Sequence, residues 1–258
     1  MELGIQDRSA LVFGGSRGMG RATARRLALE GARVVIAART LQTLRAAAQS
    51  LSAEAGRPVE YVVADITTPE GQDAALAACP APDILVTNAD GFPPGDFRDW
   101  DKTTWHAALD AMMLGPIELI RRVVDGMQQR GYGRIINIVS RSVKAPHADL
   151  GLSNGARAGL VGFVGGLARQ TVRHNVTINN VLPGAFDTSA QQRHIEKLAQ
   201  TTGRPYEEIR QARMAANPAG RFGEADEVGA LIAYLASDLA GYVTGQSWLI
   251  DGGEYPGT

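Results

Sequence analysis

Two groups of residues in this 258-residue chain combine side-chain types and spacings suited to chemistry. The first is the run Ser9-Ala10-Leu11-Val12-Phe13-Gly14-Gly15-Ser16-Arg17-Gly18-Met19-Gly20. An apolar strand pattern ends in a turn with glycines at 14, 18 and 20, and a helical pattern over Arg21–Glu30 follows at once. Glycines let the backbone turn tightly and come close to a phosphate, while a helix N-terminus offers free N–H groups and a positive dipole to that anion. The strand–turn–helix context predicts a dinucleotide site. The second group follows the apolar run Arg134–Val139, where Ser140 leads into Arg141, Lys144, His147 and Asp149. A nucleophilic serine needs a base within hydrogen-bond reach and a strained elbow, and nothing near Ser140 has that form. Its expected role is to bond a substrate oxygen from a strand's carboxyl end. The four charged or titratable residues after it are candidate proton donors, although surface polarity explains a loop of this kind as well. His147 suits the task best, with a reference pKa of about 6.5. His106, His174 and His194 lack metal-ligand spacing with Cys or carboxylates, so no metal site is expected.

The nucleotide can be read from charge. A carboxylate closing the second strand would hold the ribose hydroxyls of NAD and repel a 2′-phosphate. That position reads Ala37-Ala38-Arg39, with no acid, and Arg17 in the glycine turn adds a second cation. Together they favour NADP(H) over NAD(H).

Positioning these groups requires a sheet. Strand-like runs recur at Ala10–Phe13, Arg33–Ala38, Val59–Ala64, Ile84–Thr87, Arg134–Val139, Thr177–Val181 and Ser247–Ile250. Several are nearly continuous Val, Ile and Leu, as parallel strands buried on both faces require. Helical patterns separate them, including Trp105–Arg130, Leu152–His174 and Glu224–Ser237. The alternation predicts an α/β fold: one Rossmann-type domain over residues 1–258, a doubly wound seven-stranded parallel sheet with helices on both faces. The rhythm breaks only at Phe186–Phe222, a polar and helical insertion expected to be a substrate lid. Within it, Phe186, His194, Ile195, Leu198, Tyr206 and Ile209 suit a half-apolar cover or ordinary packing. The composition, 45% hydrophobic and 21% charged, is globular, and a formal net charge of −1 makes no case for nucleic acid or membrane surfaces. Cys79 is the only cysteine, and no signal-peptide pattern opens the chain, so a cytoplasmic protein acting on a small molecule is expected.

The ordered motifs resemble the short-chain dehydrogenase/reductase family along nearly the whole chain. Phe13-Gly14-Gly15-Ser16-Arg17-Gly18-Met19-Gly20 resembles TGxxxGxG, with Phe13 in place of Thr. Ala64-Asp65-Ile66 resembles the acidic segment that holds the adenine, and Thr87-Asn88-Ala89-Asp90 resembles NNAG with only the second Asn and the Ala kept. Ile138-Val139-Ser140 resembles the strand end bearing the catalytic serine, and Pro183-Gly184-Ala185-Phe186-Asp187-Thr188 resembles the PGxxxT segment that holds the nicotinamide. Tyr242-Val243-Thr244-Gly245 and Asp251-Gly252-Gly253 resemble the C-terminal YxTG and DGG. The resemblance implies cofactor contacts from Gly14, Ser16, Arg17, Gly18, Met19, Arg39, Asp65, Ile66, Asn88, Ala89, Arg157, Pro183, Gly184, Phe186 and Thr188. It also implies a homotetramer or dimer built on the Trp105–Arg130 and Leu152–His174 helices and the last strand.

The active centre departs from the family. Where YxxxK belongs, the chain reads Ser153-Asn154-Gly155-Ala156-Arg157, and Met112 stands where a helix asparagine is usual. The family's tyrosine protonates a carbonyl oxygen with help from the lysine cation. Ser153 is too short and too weak an acid to substitute, and Arg157 stays protonated and relays protons poorly. Ser140, Ser153 and Arg157 are therefore the candidate catalytic set of an NADP(H)-dependent oxidoreductase with altered proton delivery. A non-redox isomerase or dehydratase, or a non-catalytic nucleotide sensor, are the other readings.

Overall fold

The computed structural model describes residues 2–257. Seven strands form one parallel sheet: β1 (Ser9–Phe13), β2 (Arg33–Ala38), β3 (Val59–Val63), β4 (Ile84–Asn88), β5 (Gly133–Ile138), β6 (Val176–Pro183) and β7 (Ser247–Ile250), in the order β3-β2-β1-β4-β5-β6-β7. The chain winds outward from β1 through β2 to β3, then returns to β4 on the other side of β1. Helices linking successive strands therefore cover opposite faces of the sheet's two halves, and their first turns diverge above β1 and β4. This switch point is where an open α/β sheet leaves a crevice.

Strict side-chain alternation builds two cores from the same strands. Ala10, Val12, Val34, Ile36, Ile84, Val86 and Ile136 face one layer, packed by Leu27 of α1 (Gly18–Leu29), Leu44 and Leu51 of α2 (Leu41–Ala55) and Ile232 of α9 (Ala225–Leu235). Leu11, Phe13, Val35, Ala37, Leu85 and Ile135 face the other, packed by Ala75 of α3 (Pro69–Ala78), Leu119 and Val123 of α5 (Gly115–Arg130) and Leu160 and Val164 of α6 (Gly151–Thr171). A polar ladder crosses this second face in register: Thr87 Oγ1 donates to Asn137 Oδ1 (2.7 Å), Asn137 Nδ2 to Asn180 Oδ1 (3.1 Å) and Asn180 Nδ2 to Ser247 Oγ (3.4 Å). It fixes the register of four strands, because a slip would strand buried amides without partners.

One helix differs from its sequence pattern. Trp105–Arg130 reads as a single element, but α4 (Lys102–Leu109) passes through a π turn over Asp110–Leu114 before α5 begins. Pro116 in the first turn of α5 has no N–H to give the preceding turn, so the ladder reorganises there. The π turn buries Met112 against Ala108, Leu152 and Ala156. Among the described residues no helix is long and apolar enough to cross a membrane, and no group of His, Cys, Asp and Glu could hold a metal ion.

Candidate active site

Above the switch point lies a cleft of about 830 Å³. Its floor is the glycine turn. Gly14 and Gly18 have φ of +65° and +51°, in the left-handed region where glycine is favoured. A Cβ on Gly14 would lie 2.5 Å from Asn88 Nδ2, and one on Gly20 would lie 2.2 Å from the Gly14 carbonyl oxygen. The turn therefore needs glycine for contact as well as for conformation. The helix it opens, α1, has Arg17 at its N-cap with no side-chain cap bond and no acidic residue in its first turn. Its first N–H groups and dipole thus face the cleft without an internal anion. Free donors, a close glycine approach and the cleft's volume fit the pyrophosphate of a dinucleotide.

Gly14, Ser16, Arg17, Gly18, Met19, Arg39, Asp65, Ile66, Asn88, Ala89, Arg157 and Thr188 all line this cleft. Asp65 is fixed by Thr67, whose N–H and Oγ1 both donate to Asp65 Oδ1 (2.9 and 2.8 Å). Thr188 caps α7 (Ser189–Thr202) by accepting from Gln191 N–H, and its methyl lies 3.6 Å from the place of a Cβ on Gly18. The inserted segment therefore starts directly over the glycine turn. Its two helices, α7 and α8 (Tyr206–Ala215), join through Ile195, Ile209 and Phe222, so these apolar residues pack the insertion together.

Three further expected cofactor residues lie at the end of β6 and just after it. Pro183 ends β6, and the Gly184 N–H donates to Ile250 O (2.9 Å). Phe186 turns into the first core, with its ring against Gly223, instead of covering the cleft. The sequence pattern around Pro183 shows where the chain turns but not which way the Phe186 ring points.

Asp90, Asp110 and Arg193 also line the cleft and were not singled out from the sequence. Asp90 follows β4 and pairs with Arg39, which follows β2, at 3.0 Å. Since β1 lies between those strands, the pair spans the top of the glycine turn. A charge at a position where the resembling motif has glycine was the available signal. Both side chains are well exposed, and such pairs are worth under about 1 kcal/mol.

Ser153 and Arg157, expected where the family has its catalytic pair, bond to each other and to the backbone. Arg157 Nε donates to Ser153 Oγ (3.1 Å), Nη1 to the Ile138 and Val139 carbonyls (3.2 and 3.0 Å), and Nη2 to the Ala89 carbonyl (3.1 Å). Burial pushes the guanidinium down to about 10, opposed by Asp90, so it remains a cation at neutral pH. It ties the ends of β4 and β5 together beneath the cleft. Ser140 Oγ accepts from Ser142 N–H (3.1 Å), which leaves its own hydrogen available to donate. His147 is exposed, and its Nε2 lies 2.8 Å from Arg141 Nη2, so that nitrogen is held as an acceptor.

Comparison with known proteins gives the same architecture. The family model described as Enoyl-(Acyl carrier protein) reductase matches residues 14–254. The chain is similar to the 3-oxoacyl-[acyl-carrier-protein] reductase FabG of Vibrio cholerae, 32% identical over 98% of this chain and 99% of that protein. It is also similar to the NADPH-dependent reductase BacG of Bacillus subtilis, 29% identical over 96% of this chain and 98% of that one. The structure of L-sorbose reductase from Gluconobacter frateurii complexed with NADPH and L-sorbose superposes with a TM-score of 0.95, at 29% identity and full coverage of both chains. With a family model spanning nearly its whole length and relatives aligned end to end, the chain belongs to the short-chain dehydrogenase/reductase family.

Proposed function

We propose that the protein is an NADP(H)-dependent oxidoreductase acting on a small carbonyl or alcohol substrate, with proton delivery unlike that of its relatives. The uncapped α1 N-terminus over a glycine turn carries this reading, and its similarity to reductases named for NADPH supports it. Gly14, Ser16, Gly18 and Met19 hold the pyrophosphate, Asp65 and Ile66 flank the adenine, and Asn88, Ala89 and Thr188 line the path toward the reacting end. Arg17 and Arg39 hold the 2′-phosphate. The Arg39–Asp90 pair yields to it, because a dianion outcompetes an exposed monovalent partner.

When bound, the nucleotide supplies or accepts the hydride. The chain's own groups steady the substrate oxygen. Ser140 donates its hydroxyl hydrogen to that oxygen. Ser153, held by Arg157, supplies a second hydroxyl, and the buried Arg157 charge favours negative charge developing nearby. Arg157 has its donors on the chain's own acceptors, so it acts as a fixed electrostatic support. Water or a loop group supplies the proton, at a cost of roughly 10²–10⁴ in rate relative to a positioned acid. The segment 186–222 acts as the lid, and α5, α6 and β7 form the contacts of a homo-oligomer. The exposed Phe163 on α6 and the half-open β7 edge support that assembly.

The test is nicotinamide absorbance with NADPH or NADH across a panel of ketones, aldehydes and alcohols. NADPH turnover is expected, and Arg39→Asp weakens NADPH binding far more than NADH binding. Tight NADPH binding without turnover anywhere in the panel favours the sensor reading, which the internally paired Ser153 and Arg157 also suit. Equal effects of Arg39→Asp on both nucleotides overturn the NADP(H) assignment.

A further inference from the structure

The inserted segment hangs from the sheet by a narrow neck. Its ends pair as a bridge between Phe186 and Gly223: the Asp187 N–H donates to Gly223 O (2.9 Å) and the Gly223 N–H to Ala185 O (3.0 Å). Beyond the neck, Asp187 accepts from Gln192 Nε2 of α7 (3.3 Å) and from Arg210 Nη2 of α8 (3.2 Å). With the apolar contacts of Ile195, Ile209 and Phe222, these bonds make the two helices one body. That body turns one face of α7 into the nucleotide cleft, where Ser189, Ala190 and Arg193 line the wall. Residues three and four apart share a helix face, and helical side chains lean toward the N-terminus of their helix. Ser189 and Ala190 are short, so Arg193 alone of the three can reach across. It leans back toward Thr188, whose methyl lies over Gly18 of the glycine turn.

Positive charge gathers there without a partner in the chain. Elsewhere in the insertion Arg204 is matched by Glu208 (2.9 Å) and Arg210 by Asp187 (3.2 Å). Arg193 is exposed and forms no ion pair or side-chain hydrogen bond among the described residues, although Asp65, Asp90 and Asp110 share the cleft with it. Neither α1 nor α7 has an acidic residue in its first turn, and Arg17 stands at the N-cap of α1. Two positive helix ends and two guanidinium groups thus border one part of the cleft. The order of the strands decides which anion Arg193 meets. Arg39 follows β2, whereas Arg193 comes from the segment after β6, so the two approach the glycine turn from opposite sides of β1. The 2′-phosphate falls to Arg39, and the pyrophosphate over the turn itself falls to Arg193.

We propose that Arg193 binds the pyrophosphate from above and so latches the insertion onto the glycine turn. This rests on the nucleotide reading of the cleft. A guanidinium can give two parallel N–H bonds to phosphate oxygens. The pyrophosphate is then held between the N–H groups of the turn below and Arg193 above. Because α7 and α8 form one body on a narrow neck, that single contact fixes the position of both helices.

The test titrates the full-length protein with NADPH and with NADH, read by nicotinamide fluorescence, and follows tryptic cleavage at Lys197 by mass spectrometry. Both nucleotides carry the pyrophosphate, so Arg193→Gln should weaken both by the same factor, about tenfold or more. Arg193→Lys should lose less, because a point charge remains. Without nucleotide, the melting temperature of both variants should stay near wild type, since the side chain has no partner to lose. Saturating NADPH should protect Lys197 in the wild type but not in Arg193→Gln. Unchanged affinities would make Arg193 a surface charge and overturn the proposal. A loss confined to NADPH would move Arg193 to the 2′-phosphate, and a lower melting temperature of the free variants would make it a structural residue; either result overturns it. Weakened binding of both nucleotides with Lys197 still protected at saturation would overturn the latch. A wild-type protein that binds neither nucleotide would sink the nucleotide reading itself, whereas an unaffected Arg193→Gln variant leaves that reading standing and removes only this role.

Discussion

Arg157 bonds its surroundings in a way that a lysine could not. A lysine there would present a single point charge, whereas the guanidinium spreads its donors over four acceptors on β4, β5 and α6. The side chain is 7% exposed, so each bond is made where water competes poorly. Arg157→Met should keep much of the volume but leave the Ala89, Ile138 and Val139 carbonyls and Ser153 unpaired. The expected loss is about 3 kcal/mol or more in chemical denaturation. Arg157→Lys should lose less, since an ammonium still reaches some of the carbonyls. If Arg157→Met proved neutral, the weld between the strand ends would be incidental. The expectation that Ser153 and Arg157 stand for the family's pair came from the resemblance, since they fall where its motif places that pair. Their bonding to each other was not readable, since rotamers and carbonyl directions depend on strands distant in sequence.

Helix α1 carries the glycine turn, and α9 sets where α1 lies. Gly229 of α9 packs so closely that a Cβ there would lie 2.7 Å from the Ala22 carbonyl oxygen and 3.0 Å from its carbon, both backbone atoms that cannot swing aside. Glu224 and Glu227 form a capping box at the start of α9, and Arg221 pairs with Glu227 at 2.7 Å, which anchors that end. Gly229→Ala should therefore force the helices apart, costing about 1–3 kcal/mol and weakening nucleotide binding as the turn shifts. Unchanged stability and nucleotide affinity would show that the two helices slide freely. The strands were legible because buried parallel strands are continuous Val, Ile and Leu, and the glycine turn because strand, glycines and helix follow directly. The π turn at Asp110–Leu114 was not, since its apolar spacing through Met112 and Met113 matches an unbroken helix and only Pro116 marks the change. The Arg141–Glu254 pair was hidden for another reason: over a hundred residues separate its members.

At the scale of the whole molecule, the two halves of the sheet meet where the cleft opens, and the inserted helices touch the glycine turn through Thr188. A ligand in that crevice contacts loops from β1, β2, β4 and the start of α7 together. It binds only the folded chain, so its free energy of binding adds to stability by mass action. At about 100 times its dissociation constant, NADPH should add about 2.7 kcal/mol. For a chain of this length that corresponds to a rise in melting temperature of about 5–10 °C. NADH at the same concentration should give a smaller rise, because it lacks the phosphate that Arg17 and Arg39 would hold. The same titration reports on the insertion. Trypsin sites at Arg193 and Lys197 lie in α7, so NADPH should slow cleavage there as the α7 N-terminus is held against the bound nucleotide. A nucleotide-dependent rise in melting temperature with unchanged cleavage between residues 186 and 222 would separate the two claims, leaving the nucleotide cleft in place and removing the lid.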